Sequence, residues 1–410
     1  MNQKRLREFA ELAVKIGANV QKGQDVLLRT STETKELARA IVEEAYLAGA
    51  RRVTIQWLDD YISRFHYLYQ DEATLEEVPA YYLEMLHEIV DKNAALISIT
   101  SPIPGLNADV DPLKMQKSSI ATGKAIGFFR NHLMANKSQW TVVAYPNPVW
   151  AKQVFPYLSE EEAMDKLWDE ILVASRCDEG KDAIHEWNLH NEFLLKHNDI
   201  MNQHQFKALK FKNDLGTDLT VELVKNHIWA GGGEHSAQGV YFNPNIPTEE
   251  TFTMPYKWGT SGKVVSTKPL NYQGKLIEDF FLVFKEGKVV EFGAKKEQDT
   301  LASLLAFDEG SSYIGEIALI SHDSPISNSN ILFLNTLFDE NASCHMALGR
   351  AYPMNVEGGN DMSKEELEAV GCNLSMVHED FMFGSADMEI IGVKEDGSTV
   401  QVFHKGNFVI

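Results

Sequence analysis

A chain of 410 residues is long enough for two or three domains with a large buried core. Its 38 basic against 59 acidic side chains give a formal net charge of −21. That balance argues against nucleic-acid binding, which relies on Lys and Arg to neutralise phosphates. Only Cys177, Cys344 and Cys372 are present, with no Cys-x-x-Cys, so a disulfide framework is excluded and a reducing compartment is expected. The opening stretch, MNQKRLREFAELAVKIGANV, is charged and lacks the apolar core of a signal peptide. No apolar run reaches the roughly 18 residues that a membrane helix needs. A cytoplasmic protein with neither membrane nor nucleic acid among its partners is the expectation.

Leu6, Phe9, Leu12, Ala13 and Ile16 recur at helical spacing, and Gly17 offers a stop. Val26–Leu28 reads as a strand, 33–48 as a helix closed by Gly49, and 52–57 as a second strand. A further helix ends near Asn93, followed by strands at 95–100 and 140–145. Strands alternating with helices predict an α/β domain with a mainly parallel sheet. No Gly-x-Gly-x-x-Gly opens a helix, so nothing supports a dinucleotide site. Residues 160–205 read as helical. His185-Glu186 starts like a zincin motif, but the position that needs the second histidine is Leu189. His185, His190, His197 and His204 are therefore assigned to a solvated helix face.

After Phe206 the pattern turns to strands: 208–212, 219–223, 264–270, 280–285, 288–292, 388–393 and 399–403. Glu286-Gly287 reads as a tight hairpin turn. The expected organisation is an N-terminal α/β domain over 1–205 and an α+β, strand-rich C-terminal domain over 206–410 that carries the chemistry. Gly231-Gly232-Gly233 lacks the Gly-Lys-Ser/Thr of a P-loop and reads as a flexible loop.

The chemistry-bearing residues fall in this second half. His378 and Asp380 are two apart, so a strand points both to one face. Glu340 and His345 are five apart and would diverge on a helix, which places them on a bend where Asn341 and Ser343 break regularity. Glu316 lies in the apolar run YIGEIALI, and a lone buried carboxylate costs several kcal/mol unless paired or bound to a metal. Glu249 and Glu250 follow a proline-fixed turn. Glu250, Glu316, Glu340, His345, His378 and Asp380 are more ligands than one catalytic ion needs. They fit two ions sharing a carboxylate, the arrangement used for hydrolysis. Cys344 beside His345 reads as a small packing residue. Tyr352 reads either as a donor to an oxyanion or as a core tyrosine. Glu249 reads as a general base, an orienter of Glu250 or a solvated loop acid.

The segments NIPTEETFTMP, YIGEIAL, LFDENASCHMALGRAY and VHEDFMFGSADMEI, in this order, resemble the aminopeptidase T, AmpS and PepS group of metallo-aminopeptidases across essentially the whole chain. The resemblance implies a two-domain, cytoplasmic, homodimeric exopeptidase that acts on short peptides with a free N-terminus. It places metal ligands at Glu250, Glu316, His345, His378 and Asp380, with Glu340 as a sixth, and an active-site tyrosine at Tyr352. Two divalent ions are implied, zinc or cobalt, with manganese or magnesium also compatible with the ligands. The competing readings are a two-metal phosphoesterase, which needs basic residues near the metals, and a non-catalytic metal- or peptide-binding protein with a closed site.

Overall fold

The computed structural model describes residues 2–273 and 275–410. Two compact units form: Met1–His190 with Gly233–Pro247, and Asn191–Gly232 with Thr248–Ile410. The segment 191–205, read from sequence with the first half, lies in the second unit, and 233–247 lies in the first.

The first unit is built on a parallel sheet of β1 (Asp25–Ser31), β2 (Arg52–Leu58), β3 (Ala95–Thr100) and β4 (Trp140–Ala144), in the order β2-β1-β3-β4. Val26, Leu27 and Leu28 of the inner strand β1 are all fully buried. A strand covered on both faces loses the in–out alternation and reads as a continuous apolar run. The short hairpin of β7 (Glu234–His235) and β8 (Tyr241–Phe242) completes this unit's strands among the described residues. The helical region at 160–205 is two helices, Glu160–Ala174 and Ala183–His204. Ser159 and Glu162 form a reciprocal capping box that starts the first of them.

The histidines of the second helix do not share a solvated face. His190 and His197 are buried, seven residues apart and so on one side of the helix. His190 packs edge-on against Trp187, and His197 donates from Nδ1 to the Phe193 carbonyl at 2.8 Å. Burial lowers the His197 pKa.

The second unit holds two antiparallel sheets. The larger, of nine strands, contains β5 (Ala208–Lys212), β6 (Asp218–Leu223), β10 (Pro255–Val265), β11 (Leu270–Tyr272), β12 (Lys275–Lys285), β13 (Lys288–Lys296), β17 (Glu389–Val393), β18 (Thr399–His404) and β19 (Asn407–Phe408). The run 264–270, expected as one strand, is instead the end of β10, a turn and the start of β11. Glu286 and Gly287 take φ values of 51° and 80° between β12 and β13, the left-handed pair that a two-residue hairpin turn requires.

The smaller sheet carries the order β16-β15-β14-β9, with β9 Thr251–Thr253, β14 Ile314–Leu319, β15 His345–Gly349 and β16 His378–Met382. Its back face presents Ile317, Leu319, Met346, Leu348 and Phe381 to the core shared with the larger sheet. Phe381 meets Phe280 of β12 edge-on at 5.3 Å, and Phe383 meets Phe211 of β5 at the same distance. The front face of this small sheet carries the acids and imidazoles.

Candidate metal centre

Strand register places the expected ligands together. In the antiparallel pairs, Ala318 lies opposite His345, Glu316 opposite Ala347, Ala347 opposite Asp380 and Gly349 opposite His378. Residues opposite each other share a face, as do residues two apart on one strand. Glu316, His345, Asp380 and His378 therefore point the same way. Phe252 pairs with Ala318 from β9, and Glu250 precedes Phe252 by two. Ala318, Ala347 and Gly349 alternate with the ligands and leave room between them. A register shift between Ile314 and Glu316, where Gly315 sits, is a β-bulge that re-aims the Glu316 side chain.

Two groups result. Ligand atoms of Glu250, Glu316 and His345 lie within 4.8 Å of one another, as do those of Glu316, His378 and Asp380. Nε2 of His345 is 3.3 Å from Glu250 Oε2 and 3.4 Å from Glu316 Oε1. Nε2 of His378 is 3.6 Å from Glu316 Oε2 and 3.5 Å from Asp380 Oδ1. Glu316 thus offers one carboxylate oxygen to each group. Nδ1 of His378 donates to the Arg350 carbonyl at 2.6 Å. That bond fixes the ring and leaves Nε2 as the atom facing the acids.

Charge is concentrated here out of water. Burial raises the Glu316 pKa, while His345 and His378 pull it back only in part. Burial also pushes Glu340 well up, with Asp380 and Glu250 adding to it. Burial opposes protonation of the imidazoles, yet the surrounding carboxylates prevail: His345 rises well above its usual value through Glu250 and Glu316, and His378 rises to about 10 through Asp380 and Glu316. Asp380 is lowered, since His378 and His345 outweigh its burial.

The donor set suits divalent cations. A ring nitrogen can donate one hydrogen at most, yet each Nε2 faces two carboxylate oxygens at 3.3–3.6 Å. Asp380 Oδ1 is buried without a hydrogen-bond partner. Carboxylate oxygen and neutral imidazole nitrogen converging in threes are the ligands zinc, cobalt and manganese take.

The other expected residues lie around this centre. Glu340, half-buried in a short turn over 340–342, stands outside both groups but within electrostatic reach of Asp380 and Glu250. The Tyr352 ring lies 4.8 Å from that of His378. Burial raises the Tyr352 pKa well above its usual value, with Glu316 and Asp380 adding to it. Glu249 is buried rather than a solvated loop acid, and its backbone N–H donates to Asn341 Oδ1 at 2.8 Å. Cys344 is buried, its thiol pushed up to about 11, and it shares contacts of 3.4 Å with the backbone of Ile320. It packs and does not face the ligands.

Sequence reasoning missed the supports. Gly231, expected in a flexible loop, is packed against Glu250: a Cβ at this position, where φ is +146°, would sit 2.0 Å from the Glu250 carbonyl oxygen. Ala230 exchanges backbone hydrogen bonds of 2.8 and 3.0 Å with Phe252, and Asn198 holds the Gly231 carbonyl at 3.0 Å. The triple glycine was the visible signal, since only glycine permits that backbone approach. Asn341, in the turn that carries Glu340, ties Glu249 in place and had no such signal.

A cavity of about 200 Å³ opens along β16 beside the centre. Glu340, His378 and Asp380 line it together with Asp339, Glu379 and the apolar residues Leu270, Leu276, Leu332, Leu334 and Met382. No Lys or Arg is among its described lining residues.

Residues 2–408 match the thermophilic metalloprotease (M29) family. The chain belongs to that family. This M29 chain is 44% identical over 406 residues to aminopeptidase 2 of Geobacillus stearothermophilus, covering 99% of this chain and 98% of the relative. It is also 44% identical to aminopeptidase AmpS of Bacillus subtilis, over 98% of both chains. The solved structure of wild-type AmpT from Thermus thermophilus superposes with a TM-score of 0.93 at 35% identity, over 100% of both chains. Among the described residues of the M29 chain, no helix is long and apolar enough to cross a membrane.

Gly231→Ala is expected to push the Glu250 backbone out of place and weaken metal retention by about 10- to 100-fold. Equilibrium dialysis against a graded chelator, with circular dichroism confirming the fold, reads this out. Retention equal to that of the parent would show that Gly231 does not set the position of Glu250.

Proposed function

We propose that this protein removes the N-terminal residue from short peptides by hydrolysis at a centre of two divalent ions. The enzyme class, a metal-dependent aminopeptidase, follows from family membership and from near full-length relatives that bear that name. The observation that carries the two-ion reading is Glu316, with Oε1 facing His345 and Oε2 facing His378. Glu250, Glu316 and His345 would hold one ion, and Glu316, His378 and Asp380 the other. Bound there, two such ions would supply the Lewis acidity that polarises a scissile carbonyl and makes water a nucleophile near neutral pH.

The chain's own residues do the rest. The Arg350 carbonyl keeps the His378 ring oriented. The Tyr352 hydroxyl, carried on a ring packed against His378, donates a hydrogen bond to the oxygen of the scissile carbonyl as negative charge develops there. Glu340, within electrostatic reach of Glu250, Glu316 and Asp380, would complete the set as the sixth metal-binding residue. The acidic surroundings favour a protonated α-amino terminus over a carboxylate.

The same observations weigh against the rivals. A phosphoesterase needs cations to hold phosphate, and the described lining of the adjoining cavity has none. A structural metal site is closed by protein ligands, whereas His378 and Asp380 border the cavity. Zinc or cobalt is the metal we favour, on the mixed oxygen and nitrogen donors. We also assign the protein to the cytoplasm, since its three cysteines are free and buried, and infer a homodimer, which size-exclusion chromatography with light scattering would test.

Glu316→Gln is expected to halve the ions retained per chain or remove both, and to abolish release of free amino acids from unblocked dipeptides. A metal-loaded, fully active variant would sink the two-ion assignment. Tyr352→Phe is expected to retain metal and to lose about 10²- to 10³-fold in kcat, the effect of deleting one oxyanion donor. An unchanged kcat would make Tyr352 a packing residue only.

A further inference from the structure

The cavity along β16 has a wall that is held under strain. Leu334 lies in the loop between the short helices Pro325–Ser329 and Thr336–Asp339, with φ at +58°. A leucine rarely adopts this left-handed conformation, and an ordered strained residue requires surroundings that over-determine it. Here they do. The buried Asp339 carboxylate accepts the Phe333 N–H at 2.7 Å and the Asn335 N–H at 3.0 Å, bracketing Leu334 on both sides. The Phe333 ring, fully buried, stacks on Phe338 at 4.7 Å and anchors the loop again. The held residue belongs to the cavity lining, as do Leu332, Pro269, Leu270, Leu276 and Met382, while Asn271, Asn335 and Thr336 add polar groups to it.

The cavity's size and charge identify what enters. At about 200 Å³ it is smaller than the roughly 300–1,000 Å³ that accommodate a drug-sized ligand, so it takes one side chain rather than a dipeptide. Its polar border is acidic, with Asp339, Glu340, Glu379 and Asp380. That border attracts a residue bearing a free α-amino group and repels the carboxylate of a dipeptide's leaving half.

Resting on the aminopeptidase reading, we propose that this cavity is the pocket for the side chain of the peptide's N-terminal residue, that it selects medium-sized apolar side chains such as leucine and methionine, and that the Asp339-clamped Leu334 is a specificity-determining residue. A hydrophobic pocket discriminates by about 10- to 200-fold per methylene group, so leucine over glycine is expected to reach at least the lower figure.

The test compares kcat/KM of the metal-loaded enzyme on two dipeptide series. The X-Ala series varies the N-terminal residue (Gly, Leu, Met, Lys), and the Ala-X series varies the leaving one (Gly, Leu, Lys). Leu-Ala should exceed Gly-Ala by at least about tenfold, with Lys-Ala well below Leu-Ala. In Leu334→Gly, which suits a left-handed backbone and removes the wall, the Leu-Ala to Gly-Ala ratio should fall about tenfold. Leu276→Ala, at another residue of the lining, should lower the same ratio, and it decides the matter if the first variant does not fold. Equal losses on both substrates would overturn the assignment by making these residues structural. A preference for Lys-Ala, or a ratio change confined to the Ala-X series, would overturn it by giving the pocket another occupant. Failure of the parent enzyme to cleave any unblocked dipeptide would instead remove the aminopeptidase reading beneath the proposal.

Discussion

One carboxylate facing two ways is the constraint on which this structure depends. Glu316 is almost completely buried in a strand whose every residue is buried, and each of its oxygens looks at a different imidazole. A charge in that position is costly unless cations or hydrogen bonds compensate it. The compensation is spread over three neighbouring segments, with Glu250 from one side and His345, His378 and Asp380 from the other. Together they form a cluster that a pair of divalent ions would neutralise, and the family's metalloprotease character agrees with that.

The small antiparallel sheet makes the cluster possible because its two faces answer to different demands. The back face is part of the second unit's core, fixed by aromatic contacts such as Phe381 on Phe280. The front face alternates acids and imidazoles with alanine and glycine, so that large polar groups from neighbouring strands converge without crowding. Strands set the candidate ligands, and turns place the groups around them: Asn341 ties Glu249 beside Glu250, and Asp339 clamps the loop at the cavity's wall.

Much of this was legible in the sequence, because it rests on local periodicity. The two-residue spacing of His378 and Asp380 predicts one face of a strand, and both lie on β16. The apolar run around Glu316 predicts a buried acid, and β14 buries it. Strand boundaries such as Ala208–Lys212 fell out of alternation and turn residues. What could not be read depends on partners distant in sequence. Gly231 looked like loop punctuation because its reason, the Glu250 carbonyl, lies nineteen positions away. His190 and His197 looked solvated, although their seven-residue spacing already marked a single helix side. The return of 233–247 to the first unit left no mark on composition or pattern.

The central claim is that Glu316 is shared by two ions, and the most direct measurement is anomalous X-ray scattering from crystals of the zinc- or cobalt-loaded protein. The account predicts two anomalous peaks per chain, about 3.5–4 Å apart, each within coordination distance of a different Glu316 oxygen, one beside His345 and the other beside His378. A single peak, or two peaks of which only one touches Glu316, would contradict it.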